Sequence, residues 1–561
     1  MVNSFFILKI YKVVYNYIVL SKPNHLWLRR RKKMANKTFY ITTPIYYASA
    51  NIHIGHAYCT TITDIIARYK RERGYDVYFL TGADEHGEKI AKNAEKANMD
   101  PQAFVDNIAL SFKETWKKLM ISNNDFIRTS ETRHIKVVQK VFSRLLAQGD
   151  IYLGEYKGWY CTPCESFWTE SQLGENHTCP DCGRECHEES EKAYFLNVKK
   201  YVPQLLKFYE EHPSFVPGGK LNEMINTFIK PGLEDLCITR TTFSWGVPVK
   251  EDPKHVVYVW IDALLNYISA LGYMSDDETL FNKFWSKDTE ICQFAGREIN
   301  RFHSIYWPIL LFALNLRCPD TIYVHGLLLT RSGVKLSKSL GNAPSPLPIA
   351  ERYSLDALRF YMAREMIVGE DGQFTPVQFV ERINTDLVNN YGNLLNRTLS
   401  MVKKYFNKEV PQYKEPEMDT TKKVYSDMKV LINSYEDAMD KYNVTKGAFY
   451  ATELLNLGNK YIEVQAPWNL AKLEDKTQLQ ETMYVLEEVL RIGSILLRPF
   501  LVVKAQEALN QLNIPQELQT YDSIHEIGKL GGLVNNDASQ LFPRLNKEEE
   551  VKFLTELIDG K

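Results

Sequence analysis

Apolar positions in the first part of the chain switch between two periods. Short apolar runs read as strands, longer stretches with a 3.6-residue period read as helices, and the two kinds of element follow one another. The run Phe39-Tyr40-Ile41-Thr42-Thr43-Pro44 predicts a strand, Gly55 to Arg73 a helix closed by Gly74, and Tyr75 to Thr81 a second strand. Further strands are predicted at Val256–Trp260, Ile291–Ala295 and Thr321–Val324. This alternation argues for an α/β fold with a doubly wound parallel sheet, in which ligands bind at the carboxyl ends of the strands near the topological switch point. Gly82-Ala83-Asp84-Glu85-His86-Gly87 occupies one such end. Residues from about 119 to 236 interrupt the strand series. From about Thr375 onward helical periodicity dominates, which predicts an all-α bundle after the sheet. Pro411 to Asp419 is the best linker between helices, and no internal repeat is visible.

Composition and charge narrow this picture only a little. At 561 residues, with 45% apolar and 24% charged positions, the chain has ample material for several domains. A formal net charge of −1 excludes a whole-surface attraction for nucleic acid, so any such contact is local. Residues 1–33 hold eight Lys/Arg and no acid, which leaves −9 on the remainder. Residues 5–20 are apolar but carry Lys9 and Lys12, a poor pattern for a membrane span. A targeting presequence is one reading of this extension. Met34-Ala35-Asn36-Lys37 leads straight into the first strand, which favours Met34 as the natural start.

The cysteines carry the strongest local signal. Cys161-x2-Cys164 and Cys179-x2-Cys182 are separated by fourteen residues, a spacing that lets four thiolates converge on one zinc ion. Gly158, Pro163, Pro180 and Gly183 lie in or beside these knuckles, as tight turns require. The alternative is a pair of disulfides. Cys59, Cys237, Cys292 and Cys318 sit in apolar contexts, as reduced intracellular thiols do, and Cys186 reads as a bystander. Four thiolates close the coordination shell, so one structural Zn2+ per chain is expected.

Two further segments bear on nucleotide chemistry. His53-Ile54-Gly55-His56 opens the predicted helix, where backbone N–H groups and the helix dipole attract phosphate, and Gly55 leaves room for adenine or ribose. Lys335-Leu336-Ser337-Lys338-Ser339, preceded by Ser332-Gly333 and followed by Gly341-Asn342, describes a basic loop able to close over pyrophosphate. Alone, the first is a common turn and the second a solvated loop. In this order the two resemble the HIGH and KMSKS signatures of class I aminoacyl-tRNA synthetases, and their surroundings resemble the bacterial methionyl-tRNA synthetase family from about Lys37 to about Glu549. Leu336 replaces the usual Met of the second signature.

The resemblance implies a Rossmann-like catalytic sheet with an inserted zinc-binding region, then a helical anticodon-binding domain. Residues 1–33 would be an extension, 34–118 and 237–330 the two catalytic halves, and 119–236 the insertion, with its knuckle at about 150–190. Residues 331–374 would hold the second signature and a stem-contact region, 375–547 the helical domain and 548–561 a tail. It implies ATP binding by His53, Gly55, His56, Arg297, Lys335, Ser337 and Lys338, with catalysis resting on His53, His56, Lys335 and Lys338, and Mg2+ accompanying ATP. Asp84 falls where the family binds the substrate amino group; its other reading is a cap on a helix beginning near Glu85. Ile45, Tyr47, Trp260, Ala263, Leu264, Tyr267, Ile299, Phe302, His303 and Trp307 fall on the methionine pocket, although such a stripe is more often plain core. Leu264 stands where some relatives carry Pro, and Arg297 where Lys is common. Asn393 and Arg397, spaced i, i+4 on one helical face, fall on anticodon-reading positions together with Pro467 and Trp468. The implied partners are ATP, L-methionine and methionine tRNAs, elongator and initiator. The expected state is a cytoplasmic monomer with no membrane contact. The 282-residue step from His53 to Lys335 leaves little room for the editing domain of the leucine, isoleucine and valine enzymes. A non-catalytic tRNA-binding paralogue and a small nucleotidyltransferase are the alternatives of a different class.

Overall fold

Five parallel strands form the centre of the molecule: β1 (Thr38–Tyr47), β2 (Asp76–Asp84), β3 (Asp125–Arg128), β4 (Glu290–Gly296) and β5 (Thr321–His325), in the order β5-β4-β1-β2-β3. The computed structural model describes residues 37–329 and 343–558, apart from 165, 169 and 368. The amino-terminal extension and the segment with Lys335, Ser337 and Lys338 lie outside the described residues. Alternation along β1 sends Phe39 and Ile41 into one apolar core and Tyr40 into the other, so both faces of the sheet are covered. The strand order reverses at β1, which has β2 on one side and β4 on the other. The crevice at its carboxyl end is therefore the switch point. Out of that end runs α1 (Ile54–Glu72), the predicted helix, closed by Gly74 at φ 81°. Gly82 sits where strands crowd: a Cβ there would lie 2.2 Å from the Ile127 carbonyl oxygen.

Two sequence expectations are corrected here. Asp125–Arg128, assigned by sequence to the insertion, pairs with β2 as an edge strand of the main sheet. The following helix, α2 (Thr132–Ala147), buries Val137, Val138, Val141 and Phe142 in the core on the same side as Tyr40. The separate antiparallel unit begins only at Ile151, with strands Ile151–Cys161, Ser166–Trp168, His187–Leu196 and Leu236–Cys237. Val256–Trp260 is not a strand of the main sheet. Only Val256–Val257 is extended, paired antiparallel with Thr239–Arg240, and the chain then turns into α3 (Val259–Leu264). A short apolar run does not distinguish a strand from a buried helical turn.

The helical part comprises α4 (Leu355–Glu365), α5 (Asn393–Phe406), α6 (Asp419–Asp440), α7 (Val444–Gln465), α8 (Thr477–Leu497), α9 (Lys504–Gln511) and α10 (Lys547–Ile558). It is no loose appendage: one continuous core joins Phe39, Val77 and Phe79 of the sheet to Leu454, Leu486 and Val489 of α7 and α8. Polar contacts follow the same seam, with Tyr69 Oη donating to Asp440 at 2.9 Å and Arg498 Nε to Glu72 at 2.7 Å. The expected tail from 548 is also corrected. It is α10, held against the catalytic side by an Arg352–Glu550 ion pair at 2.6 Å.

Candidate active site

The phosphate corner is built around His53, the N-cap of α1. Its Nδ1 accepts the Gly55 N–H at 3.0 Å, while His56 Nδ1 accepts the His53 N–H at 3.5 Å, and the two rings stack with centroids 3.8 Å apart. Both Nδ1 atoms act as acceptors, so in each neutral ring the proton sits on Nε2. Gly55 is required by the first imidazole itself, since a Cβ there would fall 2.9 Å from His53 Cε1. The expectation that open backbone N–H groups meet phosphate at this helix start is corrected. Ile54 N–H donates to the Pro344 carbonyl at 2.9 Å, and Gly55 N–H is taken by His53. That first bond joins the start of α1 to residue 344, two residues beyond the segment holding Lys335 and Lys338. No acid stands in the first turn of α1, so the dipole there is open to anions.

Beside this corner lie the sequence-predicted pocket residues. Asp84 ends β2, in register with Tyr47 of β1, and its carbonyl accepts the Ala48 N–H at 2.8 Å. The next helix starts at Glu88 with Gly87 as its N-cap, so Asp84 is not that helix's cap. The following two residues are clamped. Glu85 accepts Arg128 Nε at 2.7 Å, and His86 Nδ1 lies 2.6 Å from Asp262, whose other oxygen is 2.9 Å from His134 Nε2. Burial raises the Asp262 carboxyl, yet the flanking imidazoles outweigh it and hold the group below its ordinary value.

Trp260 and Phe302 stack face to face at 3.8 Å, with the Trp260 Nε1 donor buried and without a protein partner among the described residues. Ala263 is buried, and buried Leu264 and Tyr267 lie with half-buried Ile45 and Ile299 on the same side of the sheet. His303 donates from Nδ1 to the Ile299 carbonyl at 3.0 Å, so Nε2 accepts the Tyr267 hydroxyl at 2.7 Å. Burial pushes this imidazole down to about 4, against the raising effect of the Ile299 carbonyl, and the ring is neutral at pH 7. Trp307 is fully buried behind Tyr267, with Nε1 donating to Gln293 at 3.0 Å, so it backs the pocket wall. Arg297, at the end of β4, lies between Asp371 at 3.4 Å and Glu223 at 3.6 Å.

Cys161, Cys164, Cys179 and Cys182 bring their four Sγ atoms within 4.8 Å of one another, and Cys161 and Cys182 are 3.6 Å apart. Zn–S bonds of about 2.3 Å in a tetrahedron put sulfurs roughly 3.8 Å apart, so the cluster fits zinc. A disulfide needs about 2.05 Å, and no cysteine is paired. Cys186 is buried beside the cluster but outside the set of four.

At the far end of the helical part, Asn393 is exposed at the start of α5 and Arg397 lies one turn on, bound to Glu463 of α7 at 2.8 Å. After α7 the chain reverses at Ala466 (φ 46°) into the short helix Pro467–Leu470. Pro467 is buried there, whereas Trp468 is 41% exposed, so this ring is not core.

The model for class I tRNA synthetases (M) matches residues 39–191 and 185–399, and the model for the anticodon binding domain of methionyl tRNA ligase matches residues 410–556. Methionine–tRNA ligase of Halalkalibacterium halodurans is 50% identical over 541 residues, 93% of this chain and 81% of the relative. The chain belongs to the methionyl-tRNA synthetase family. The Bacillus subtilis family member is 48% identical over 94% of this chain and 80% of its own length. Among solved members of the family, the Mycobacterium tuberculosis enzyme in complex with methionyl-adenylate matches with TM-score 0.86 and 36% identity, covering 91% of this chain and all of that one. Its free state matches with TM-score 0.80 and 33% identity, over 91% and 98%. Sequence reasoning about the family missed His86, Asp262 and His134. His86 stood inside Gly82–Gly87, already singled out, and Asp262 just beyond Val256–Trp260, but only the fold reveals that they meet across 176 positions, and nothing local pointed to His134.

Proposed function

We propose that this chain is a methionine–tRNA ligase that first joins methionine to AMP and then passes the methionyl group to tRNA. The observation that carries this reading is the bond between Ile54 and Pro344, which ties the helix start of the first motif to a residue two positions beyond the segment that holds the second. In the first step the methionine carboxylate attacks the α-phosphorus of ATP, a P–O bond to the new mixed anhydride forms, and pyrophosphate leaves with the broken α–β bridge. No protein nucleophile takes part. Catalysis is positioning and charge stabilisation. The Nε2–H groups of His53 and His56 donate to phosphate oxygens, Gly55 keeps the approach open, and Arg297 supplies positive charge at the end of β4. Lys335 and Lys338, with Ser337 between them, neutralise the β and γ phosphates. Mg2+ arrives with ATP as part of the substrate and offsets its charge.

Asp84 receives the α-ammonium group. The thioether lies among Ile45, Tyr47, Trp260, Ala263, Leu264, Ile299 and Phe302, where sulfur packs favourably against ring edges. Because neutral His303 accepts the Tyr267 proton, the hydroxyl oxygen keeps a lone pair and the pair stays uncharged beside an apolar ligand. In the second step a hydroxyl of the tRNA 3′-terminal adenosine attacks the carbonyl of the adenylate; an ester forms, the mixed anhydride breaks and AMP leaves. Trp468 stacks on an anticodon base of elongator and initiator methionine tRNAs, Asn393 and Arg397 reach base edges, and buried Pro467 sets the angle of the ring. The place of action is the cytoplasm, and among the described residues no helix is long and apolar enough to cross a membrane.

Cys161, Cys164, Cys179 and Cys182 hold one structural zinc ion. Cys161→Ser or Cys179→Ser should release it and Cys186→Ser should retain it, as elemental analysis of reduced protein would read. The function itself is tested by amino-acid-dependent ATP–pyrophosphate exchange with all twenty amino acids, followed by charging of methionine tRNA. Exchange that depends on a different amino acid would overturn the reading.

A further inference from the structure

Ten residues along α1 from Ile54, about 15 Å at 1.5 Å per residue, Asp64 is fully buried. Its carboxylate accepts Arg68 Nε at 2.7 Å, Ser122 N–H at 2.7 Å, Ser122 Oγ at 2.5 Å and Arg359 Nη2 at 2.7 Å. Burial would raise the Asp64 carboxyl, but the Arg359 and Arg68 guanidinium groups outweigh it and keep the group ionised well into the acid range. Arg359 comes from α4, is 1% exposed, and also donates to the carbonyls of Pro499 at 3.0 Å and Leu119 at 3.4 Å. Three residues earlier on the same face of α4, Asp356 accepts the Val503 and Lys504 N–H groups at 2.9 and 2.6 Å, at the start of α9. The chain beyond the second motif thus touches α1 at two heights, through Pro344 at Ile54 and through Arg359 at Asp64, and α4 is bolted on the same face to the start of α9.

Desolvation of a buried ion pair roughly cancels its attraction, and an apolar pair of similar volume is often as stable or more so. What the ion pair adds is direction. Four donors converging on one carboxylate, and one guanidinium spanning three chain segments, allow a single axial and rotational setting of α1 against α4. An apolar contact tolerates sliding. The setting matters because the imidazoles at the start of α1 and the lysines upstream of α4 must bracket one triphosphate.

We infer that Asp64 and Arg359 are a positioning pair for adenylate formation, holding the helix of the first motif in register with the element that follows the second. The inference rests on the function proposed above. Neither residue touches substrate, so their loss should act on turnover more than on substrate binding.

The test uses the full-length chain and counts functional sites by active-site titration, so that misfolded protein does not enter the rate. The paired substitution Asp64→Asn with Arg359→Met removes both charges of the buried pair, and the remaining cation, Arg68, is 23% exposed and reaches solvent. Methionine-dependent pyrophosphate exchange per titrated site should fall about tenfold or more, since a misplacement of about 1 Å at a reacting group can cost a hundredfold. KM for methionine should stay within about twofold on the same reasoning, as the pocket residues are untouched. Arg359→Lys is the milder variant: one ammonium cannot serve Asp64, Leu119 and Pro499 together, and turnover should drop at least about threefold with KM unchanged. Unchanged turnover per site in either folded variant overturns the inference, as does a loss carried by KM for methionine. Wild-type protein without methionine-dependent exchange would instead overturn the function on which it rests.

Discussion

The pocket around Asp84 and the surface around Trp468 treat their polar groups in opposite ways. In the pocket three of them are held by neighbouring groups: Glu85 by Arg128, His86 by Asp262, and His303 by both Tyr267 and Ile299. On the helical surface Asn393 and Trp468 are exposed, and Arg397 pairs with Glu463, which is itself exposed. The difference matches what each has to recognise under the proposed function. A small substrate must meet donors and acceptors already in place, because reorganising them during reaction costs rate. A tRNA anticodon brings large, stackable bases of its own, and a surface that orders only on contact can still bind it. Arg397 makes the point concretely: Glu463 holds the guanidinium at 2.8 Å, and the proposed function has it exchange that partner for a base edge.

The sharpest break of this comparison is at the phosphate corner. Lys338→Ala should lower the turnover of pyrophosphate exchange by roughly a hundredfold or more, a usual loss for one charge-stabilising donor, with a smaller change in methionine affinity. His56→Ala should do the same from the other motif. Both should depress tRNA charging in parallel, because charging consumes the adenylate. Unchanged exchange would remove these residues from the chemistry.

Next in size is Trp468→Ala. If the exposed ring stacks on a base, charging of methionine tRNA should weaken by about 1–3 kcal/mol while exchange survives. Equal loss in both assays would place the ring in the structural core, against its exposure. Tyr267→Phe should come third. It leaves His303 Nε2 buried without its donor, at a cost of about 1–3 kcal/mol, and should appear as poorer discrimination between methionine and its sulfur-free analogue norleucine. Retained discrimination would mean that packing alone selects the thioether.

How far these regions were legible in the sequence follows the range of their interactions. The sheet was readable because Phe39, Tyr40 and Ile41 form a short apolar run, as a strand covered on both faces does, and the metal cluster because both knuckles are local. The 3.6-residue period likewise revealed α1 to within a residue at each end. Asp125–Arg128 was lost because four residues carry too little pattern. Val256–Trp260 failed because its apolar run suits either element until Asp262 is seen turning inward to His86 and His134. The link between Asp64 and Arg359 spans 295 positions and has no signature at either end. In the phosphate corner the histidines were legible as residues, but their tautomer was not, since it depends on which backbone N–H each ring accepts.

The last prediction is smallest in activity and is read in stability, where the two regions should respond to pH in opposite senses. Glu487, fully buried on α8 with Asn535 Nδ2 donating to it at 2.6 Å, is pushed by burial from an ordinary 4.5 up to about 8. A carboxyl that holds its proton more tightly when folded contributes stability that is complete below about pH 4.5 and is lost as pH rises through about 8. His303 is displaced downward, from 6.5 to about 4. It contributes stability that is complete above about pH 6.5 and is lost as pH falls through about 4. Each unit of pH inside its window is worth on the order of 1 kcal/mol. Glu487→Gln, which cannot ionise, should therefore gain in Tm relative to the parent progressively between pH 5 and 8, with exchange and charging at neutral pH little changed. His303→Gln should gain on its parent only as the solution is made more acidic than pH 6.5. Thermal denaturation of the three proteins across this range decides the matter. A constant Tm offset for Glu487→Gln at every pH would mean that the carboxyl is ionised in the fold, and with it the contrast between an alkaline-sensitive helical core and an acid-sensitive catalytic pocket would fail.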